Sequence, residues 1–310
     1  MAVRDLGQTE SLCPVCLERI GACRVERDGQ VFLEKTCPRH GNFSTPIWRG
    51  DPPLSSWYRK VKRPPRPNSQ TEAMEGCPYD CGLCPDHRQG TCTAVLEVTY
   101  RCDLRCRFCF AGAGEGEHVP INELSSRLEA LSKRENCTLQ LSGGEPTTRD
   151  DLADVVSMAR SMGFDFIQLN TNGIRISEDR PYLAKLARAG LSSVYLQFDG
   201  DDGANLKLRG KPLFKGKDRA ISNCAMEGIG VVLVTTLVPG CNLDQVGSVI
   251  SYGMGRSPAV RGVHFQPVSH FGRVPKVPEW DDRITLPEVM AMVEDQTGGL
   301  FQARDLIPPG

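Results

Sequence analysis

The sequence predicts an α/β protein, a partial (β/α)6 barrel that follows an N-terminal metal-binding module. Two observations lead to this fold class. From about residue 93, β-prone segments alternate six times with segments of helical periodicity, as in parallel sheets with right-handed crossovers. Before that point cysteines cluster in a module of about 50 residues, and a module this short needs a metal to fold. Six units are too few for the usual closed barrel of eight strands, so we expect an open one.

Changes in composition divide the chain into four segments. Residues 1–50 form the zinc- or iron-binding module, with short β-prone pieces such as "QVFLEKTC". Residues 51–76 are rich in proline and charge, lack periodicity and are predicted to be a linker. Residues 77–92 hold a cluster of cysteines, and residues 93–310 form the barrel.

Each element of the barrel has its own signal. Apolar and β-branched runs predict strands, whereas apolar residues three or four apart, such as Leu124, Leu128 and Leu131, predict helices. Glycines such as Gly190 mark helix ends because they adopt the left-handed C-cap conformation. The predicted strands are 93–100, 137–144, 165–173, 191–200, 230–238 and 260–269. The predicted helices are 121–133, 150–163, 180–190, 215–229, 243–255 and 285–298. Ligands bind at the carboxyl ends of such strands, so every loop that follows a strand is a candidate site.

Charge and hydropathy exclude several classes of partner. The net charge is −1 and the pI is about 6.5, so no overall field attracts nucleic acid or an anionic membrane. No apolar run reaches the length of about 18 residues that a membrane span needs, and the N-terminus lacks the apolar core of a signal peptide. We therefore expect a cytoplasmic protein with no membrane span and no nucleic-acid partner.

Cysteine is the most informative residue type in this chain. Ten of the fourteen cysteines fall in three groups before residue 110. Thiols stay reduced inside cells, where such clustering indicates metal sites rather than disulfides. The four scattered cysteines are expected to be small buried apolar side chains. They are Cys23, Cys137, Cys224 and Cys241.

The group after the first barrel strand has the features of a reactive site. Cys102, Cys106 and Cys109 have the spacing C-x3-C-x2-C, and no fourth cysteine follows at close range. Three thiolates can hold three irons of a 4Fe-4S cluster and leave the fourth iron open to another ligand. The alternative is a zinc loop with a remote fourth ligand.

This motif, with Phe108 before its last cysteine, resembles the signature of the radical S-adenosylmethionine superfamily. The resemblance continues in order along the chain with "SGGEP" at 142–146, "LNTNG" at 169–173, "LQFDG" at 196–200 and "VHFQPVS" at 263–269. All four stretches fall at the ends of predicted strands. The resemblance covers about residues 93–300 and implies a SAM-binding 4Fe-4S cluster with S-adenosylmethionine as cofactor.

The superfamily's chemistry assigns roles to these loops. The open iron chelates S-adenosylmethionine, whose reductive cleavage gives methionine and a 5′-deoxyadenosyl radical that abstracts hydrogen from an unactivated C–H bond. Gly143 and Gly144 let the backbone approach the cofactor, and Glu145 accepts a hydrogen bond from its ammonium group. The asparagines also suit a turn, and the aspartate also suits an Asp-Gly turn. The other expected cofactor contacts are Phe108, Asn170, Asn172, Gln197, Asp199 and Gln266.

The second cysteine group repeats the reactive spacing but adds a fourth thiol. Cys77, Cys81, Cys84 and Cys92 read C-x3-C-x2-C-x7-C. Four thiolates complete a 4Fe-4S cluster and leave no iron open. We therefore expect an auxiliary cluster that transfers electrons or lies near the substrate, with a structural zinc as the alternative.

The third group lies in the N-terminal module. Cys13, Cys16, Cys37 and His40 form C-x2-C-x20-C-x2-H, which suits a tetrahedral zinc or a mononuclear iron. Because all four positions are filled, the expected role is structural. Cys23 is an alternative to His40 as the fourth ligand.

The combination of module, auxiliary cysteines and radical core resembles the tetraether-lipid synthase and methanopterin methylase-like subfamily, with its short bacterial relatives. That resemblance implies methylation or C–C bond formation on a lipid or pterin-like substrate, with electrons from a donor such as ferredoxin or flavodoxin. Members of this subfamily continue into a further cysteine-bearing segment beyond the point where this sequence ends, so a partner polypeptide that completes the site stays open. The alternatives are a radical enzyme that modifies a peptide or partner protein, and a non-catalytic iron–sulfur or zinc scaffold.

Overall fold

The computed structural model divides the chain into two compact units. One unit contains the described residues up to position 90 together with those from 278 onward, and the other lies within 91–277. Among the described residues, no helix is long and apolar enough to cross a membrane. The residues that the structure describes are 3–57, 72–75, 85, 92–133 and 137–308.

Part of the sequence-based interpretation lies outside these ranges. Cys77, Cys81 and Cys84 of the expected auxiliary cluster are not among the described residues, and neither is most of the predicted linker. Cys92, the fourth cysteine of that group, is described and exposed. Its carbonyl accepts a hydrogen bond from the backbone N–H of Thr138 at 3.0 Å.

The first unit contains an antiparallel sheet of four strands in sequential order. Asp28 and Gly29, which join the second strand to the third, have φ values of 49° and 76°, as a two-residue hairpin turn requires. The side chains of Val31, Phe32 and Trp48 are buried in this sheet. The strands are β1 (Val3–Leu12), β2 (Arg19–Arg27), β3 (Gln30–Cys37) and β4 (Gly41–Arg49).

The second unit is built on a seven-stranded sheet of order β11-β10-β9-β8-β7-β5-β6. Its strands are β5 (Thr93–Arg101), β6 (Glu115–His118), β7 (Thr138–Gly143), β8 (Ile167–Thr171), β9 (Ser193–Gln197), β10 (Gly230–Leu237) and β11 (Val260–Pro267). All neighbouring pairs are parallel except β5 with β6. The six parallel strands are those that the sequence predicts, and β6 and β11 are the two edges of the sheet. The predicted open α/β barrel is therefore confirmed.

The helices agree with the prediction in their main features. Asp179 caps the fourth helix by accepting from the Tyr182 N–H at 2.9 Å, and Gly190 ends it with φ 105°, as expected for a glycine C-cap. The third and fifth helices and the edge strand β6 are not predicted from the sequence. The helices are α1 (Ile121–Ser132), α2 (Leu152–Ser161), α3 (Ile174–Glu178), α4 (Arg180–Ala189), α5 (Asp202–Arg209), α6 (Phe214–Met226), α7 (Val246–Gly255) and α8 (Leu286–Gln296).

The two faces of the barrel sheet differ in chemistry. Alternate side chains of the strands, such as Leu96, Leu141 and Leu169, pack with the helices in one apolar core. The residues between them project to the opposite side and are mostly polar, as expected for a ligand-facing surface. We call this side the helix-free face. Its polar residues include Glu97, Gln140, Ser142, Asn170, Tyr195, Gln197, His264 and Gln266.

The last helix belongs to the first unit, which corrects the predicted barrel range of 93–310. Thr285 and Glu288 form a capping box at the start of α8. Arg49 at the end of β4 donates from its backbone N–H to Thr285 Oγ1 and from Nε to Glu288 Oε2, both at 3.0 Å. Trp280 packs on Phe32 with ring centroids 5.1 Å apart. The sequence order of strands and helices does not reveal these contacts, so α8 was assigned to the barrel.

Candidate active site

The N-terminal metal-binding motif forms a compact group of four ligand atoms. The sulfur and nitrogen atoms of Cys13, Cys16, Cys37 and His40 lie within 4.8 Å of one another. Cys13 lies in the turn before β2 and Cys37 is the last residue of β3, so the sheet brings together two pairs that are far apart in sequence. Cys23, the alternative ligand, lies within β2 and is not part of the group.

The surroundings of Cys13 favour its ionised form. Burial acts to raise the pKa of the Cys13 thiol, but the backbone N–H groups of Cys16 and Val15 lower that pKa to about 6. A thiolate is the form that binds zinc or iron. His40 Nδ1 is 3.6 Å from Cys13 Sγ and 3.4 Å from Cys37 Sγ. The residues therefore fit a tetrahedral metal ion.

The reactive cysteine motif forms the loop that follows β5, as predicted. The Cys102 N–H donates to the Gly114 carbonyl at 2.8 Å. Cys109 and Arg273 exchange two backbone hydrogen bonds, of 3.0 and 2.8 Å. Cys106 is 7% exposed, and burial, with a contribution from Glu145, raises the pKa of Cys102 to about 12. Three soft ligands on one firmly anchored loop fit a cluster that binds through three of its irons.

Arg273 is a site residue that the sequence interpretation missed. Its Nε donates to the Cys106 carbonyl at 2.8 Å and its Nη2 to the Ala113 carbonyl at 3.0 Å. The preceding Gly272 has φ 72°, and a Cβ there would lie 2.2 Å from the Phe110 carbonyl oxygen. The "FGR" stretch after the last strand therefore fixes the cysteine loop, although no motif identifies it.

The two glycines of "SGGEP" are required by the packing of β7 on β5. A Cβ on Gly143 would lie 2.2 Å from the Thr99 carbonyl oxygen, and one on Gly144 would lie 2.1 Å from that of Arg101. The Gly144 N–H donates to the Thr99 carbonyl at 2.8 Å. Both glycines also line the open cavity described below. Their position in the cavity wall is compatible with the predicted approach of a cofactor. The close contacts with β5 would require glycine at both positions even without a cofactor.

Glu145 is held by four donors within the protein. Its Oε1 accepts from Thr147 N, Thr147 Oγ1 and Thr171 Oγ1 at 3.0, 2.6 and 2.7 Å. Its Oε2 accepts from Asn172 N at 2.6 Å. Burial raises the pKa of Glu145, and these hydrogen bonds act in the opposite direction. The carboxylate thus links the end of β7 to the end of β8, and its predicted role as an acceptor for the cofactor's ammonium group stays a prediction.

The two asparagines of "LNTNG" have different roles. Asn172 Nδ2 donates to Asp103 Oδ1 at 2.6 Å, and its Oδ1 accepts from the Ile174 N–H at 2.9 Å. It therefore joins the cysteine loop to a turn, and the turn chemistry considered from the sequence is present. Asn170 lies on the helix-free face, where its Oδ1 accepts from Gln140 Nε2 at 2.6 Å.

Lys217 is the second residue that sequence reasoning missed. It projects from α6, is 2% exposed, and donates from Nζ to the Asn172 carbonyl. Gln197 Oε1 lies 3.4 Å from the same nitrogen, which places this predicted residue beside the end of β8. Burial lowers the pKa of Lys217 to about 8. A lysine within a helix has no recognisable signature, because most such residues are solvated.

Asp199 lies in a buried ion pair with Arg209. The side chain is fully buried, and its oxygens accept from Arg209 Nε and Nη2 at 2.7 and 2.9 Å. Against the effect of burial, Asp199 raises the pKa of Arg209. Asp199 is therefore a buried structural partner of Arg209, and its predicted cofactor contact stays a prediction.

The two remaining predicted residues are Phe108 and Gln266. Phe108 packs against the apolar cluster of Leu208, Val238 and Val268, which anchors the cysteine loop, and its predicted cofactor contact stays a prediction. Gln266 is exposed on the helix-free face of β11, paired in register with Thr236 of β10.

An open cavity of about 430 Å³ adjoins the cysteine loop. Backbone of Gly143 and Gly144 forms one side, and the segment 111–116 forms another. Glu97 and Arg273 also line it. A cavity of this size, lined by Arg105 of the cysteine loop and with glycine backbone in its wall, fits a small organic cofactor beside a cluster on that loop.

Comparison with known protein families supports the interpretation of both cysteine groups. Residues 96–252 match the radical SAM superfamily, and residues 6–49 match the HMPTM N-terminal zinc ribbon domain. The chain therefore belongs to the radical SAM superfamily, with a zinc ribbon at its N-terminus.

Two individual proteins are similar to this chain in sequence. Over 309 residues the chain is 43% identical to 7,8-dihydro-6-hydroxymethylpterin dimethyltransferase of Methanocaldococcus jannaschii, a match that covers 97% of this chain and 61% of that protein. It is 38% identical over 149 residues to Fe-coproporphyrin III synthase of Methanosarcina barkeri, covering 46% of this chain and 36% of the other. The chain thus spans less than two thirds of the length of these relatives.

Among solved structures, methylornithine synthase has a similar fold. The TM-score is 0.52 at 16% sequence identity, with 70% of this chain and 64% of that chain covered. At this level of identity the likeness concerns the fold alone.

Proposed function

We propose that this protein is a radical SAM enzyme that acts on a C–H bond of a pterin-like substrate, as a step in its methylation. The observation that carries the proposal is the arrangement of Cys102, Cys106 and Cys109 on an anchored loop beside a cavity walled by Gly143 and Gly144. Identity of 43% to a pterin dimethyltransferase supports the substrate class. Among the substrates expected from the sequence, this favours a pterin over a lipid.

The chain's own residues bind and orient the cofactor and the substrate, and they exclude water from the site. Cys102, Cys106 and Cys109 hold the 4Fe-4S cluster, which when bound supplies the electron that cleaves S-adenosylmethionine and so generates the hydrogen-abstracting radical. Backbone groups of Gly143 and Gly144 would bind the methionine end of the cofactor. Asn170, Gln197 and Gln266 present amides from the helix-free face toward the cofactor and substrate.

The other metal sites have supporting roles in this proposal. Cys77, Cys81, Cys84 and Cys92 hold a second 4Fe-4S cluster that exchanges electrons with the first, and an external donor such as ferredoxin or flavodoxin reduces the protein. The zinc ribbon stabilises the first unit.

Transfer of an isotope from the substrate tests this proposal. The reconstituted protein is incubated anaerobically with dithionite, S-adenosylmethionine and 7,8-dihydro-6-hydroxymethylpterin that carries deuterium at its carbon positions. We expect deuterium in the 5′-deoxyadenosine product, read by mass spectrometry, because the hydrogen atom comes from the substrate. Formation of 5′-deoxyadenosine without deuterium would contradict the pterin assignment while leaving the radical chemistry intact.

A further inference from the structure

Glu97 is a charged residue on the helix-free face that no role described so far uses. It lies within β5 and is exposed, whereas its neighbours Leu96 and Val98 are buried in the core. Glu97 pairs in register with Ser142 of β7, the residue directly before Gly143 and Gly144. It therefore lies one step deeper in the barrel than the backbone expected to face the cofactor.

The side chain has no counter-charge in the described part of the chain, where it makes no salt bridge or hydrogen bond. Two arginines line the same cavity, but each has other partners. Arg105 is paired with Glu115, and Arg273 donates to the carbonyls of Cys106 and Ala113.

The residues beside Glu97 on the sheet are polar and uncharged. The layer that continues from Glu97 across the sheet runs through Ser142, Asn170 and Tyr195, according to the strand register. Gln140, one residue pair deeper, is bonded to Asn170. A carboxylate among neutral amides and hydroxyls costs free energy when a ligand displaces its water, unless that ligand donates hydrogen bonds to it.

We propose that Glu97 binds the substrate through two adjacent N–H donors, as presented by the 2-amino-4-oxopyrimidine edge of a pterin. The N3–H and the 2-amino group of that edge point in the same direction, as the two N–H groups of a guanidinium do, and a carboxylate accepts such a pair through both oxygens. This inference rests on the proposed pterin substrate and adds the residue that selects it. The amide-rich wall beside Glu97 accommodates the rest of the ring.

A carboxylate at position 97 should distinguish a pterin from a lumazine. In a lumazine the 2-amino group is replaced by a carbonyl, which places an acceptor opposite Glu97 and leaves the carboxylate without one of its donors. A site that hydrogen-bonds a specific group rejects the analogue that lacks it. We expect the wild-type protein to bind 6-hydroxymethylpterin at least about tenfold more tightly than 6-hydroxymethyllumazine.

The test compares Glu97→Gln with wild type and with Glu129→Gln, a control on the exposed side of α1. Binding of both compounds is followed by their fluorescence, with the reconstituted full chain and S-adenosylmethionine present. We expect Glu97→Gln to bring the two dissociation constants within about threefold of each other, because an amide accepts and donates about equally well. The affinity for S-adenosylmethionine itself should stay as in wild type, and Glu129→Gln should retain the full discrimination.

The possible outcomes separate this inference from the proposal on which it rests. If wild type binds neither compound but still cleaves S-adenosylmethionine, the pterin assignment fails, and the role of Glu97 fails with it. If wild type prefers the pterin and Glu97→Gln keeps that preference, only the role of Glu97 is overturned. Loss of S-adenosylmethionine affinity in Glu97→Gln would overturn it too, since Glu97 would then bind the cofactor.

Discussion

Glu145, Asn172 and Lys217 connect the ends of neighbouring strands beside the cysteine loop. Glu145 accepts from the backbone N–H of Asn172, whose carbonyl accepts from Lys217 Nζ. The Asn172 side chain continues to Asp103 in the cysteine loop. These groups are buried and hydrogen-bonded, so their positions are set before any ligand binds. Such preorganisation holds ligand-binding backbone in a fixed geometry.

Asp199 provides a stability prediction at the residue scale. Asp199→Asn keeps the size of the side chain but leaves the Arg209 guanidinium charged, buried and without its counter-ion. Breaking a buried pair from one side costs about 3–5 kcal/mol in the free energy of unfolding. Urea denaturation followed by circular dichroism measures this cost.

The exposed Glu123–Arg127 pair on α1 supplies the matched control for this variant. Glu123→Gln should cost no more than about 1 kcal/mol, because solvent screens the pair. If Asp199→Asn were equally mild and instead weakened the binding of S-adenosylmethionine, the originally predicted role as a cofactor contact would be correct.

At the scale of elements, the predictable parts of the fold are those with long apolar patterns. The six parallel strands carry runs of Val, Leu and Ile that are buried against helices, and each predicted range overlaps the observed strand. The segments β6, α3 and α5 are short. The sequence of β6 is "EGEH", which has no apolar alternation, so only its backbone pairing with β5 defines it.

The candidate site was predictable to the same extent. Its loops follow from the rule that strand ends form the site, and the cysteines follow from their spacing. The side chains that fix those loops, Arg273 and Lys217, come from segments distant in sequence and carry no motif. The motifs predict cofactor contacts for Glu145 and Asp199, but a motif does not reveal the protein neighbours to which such a residue is also hydrogen-bonded.

The zinc ribbon gives a prediction at the scale of elements. Cys37→Ser should remove the metal from the first unit, because one of the four ligand atoms that lie within 4.8 Å is lost. Metal analysis by mass spectrometry should find about one zinc or iron fewer per chain than in wild type. The β1–β4 sheet should then unfold, as metal-dependent modules do.

Cys23→Ser is the control, since this residue lies in β2 outside the group of ligand atoms. It should retain the metal, whereas His40→Ala should lose affinity for it. The opposite result, with metal lost from Cys23→Ser and kept by His40→Ala, would restore the alternative ligand set.

At the scale of the whole molecule, the zinc ribbon and the reactive cysteine loop belong to different units. The first unit has a filled tetrahedral group and the sheet that it stabilises. The second unit has three cysteines on a loop, a cavity and a polar face. A site with all positions filled supports structure, and a site with a position left open supports chemistry. The central claim is therefore that Cys102, Cys106 and Cys109 hold the reactive cluster.

The most direct test of that claim is 5′-deoxyadenosine formation by two cysteine variants. Wild type, Cys106→Ala and Cys137→Ala are reconstituted anaerobically with iron and sulfide, reduced with dithionite and supplied with S-adenosylmethionine, and the product is measured by liquid chromatography. Cys137 is half-buried before β7, and its thiol donates a hydrogen bond to the Thr138 carbonyl. The Cys137→Ala variant therefore controls for the loss of a thiol outside the reactive motif. We expect product from wild type and Cys137→Ala, and only the level of a protein-free sample from Cys106→Ala. Undiminished 5′-deoxyadenosine from Cys106→Ala would contradict the assignment of the reactive cluster to this loop.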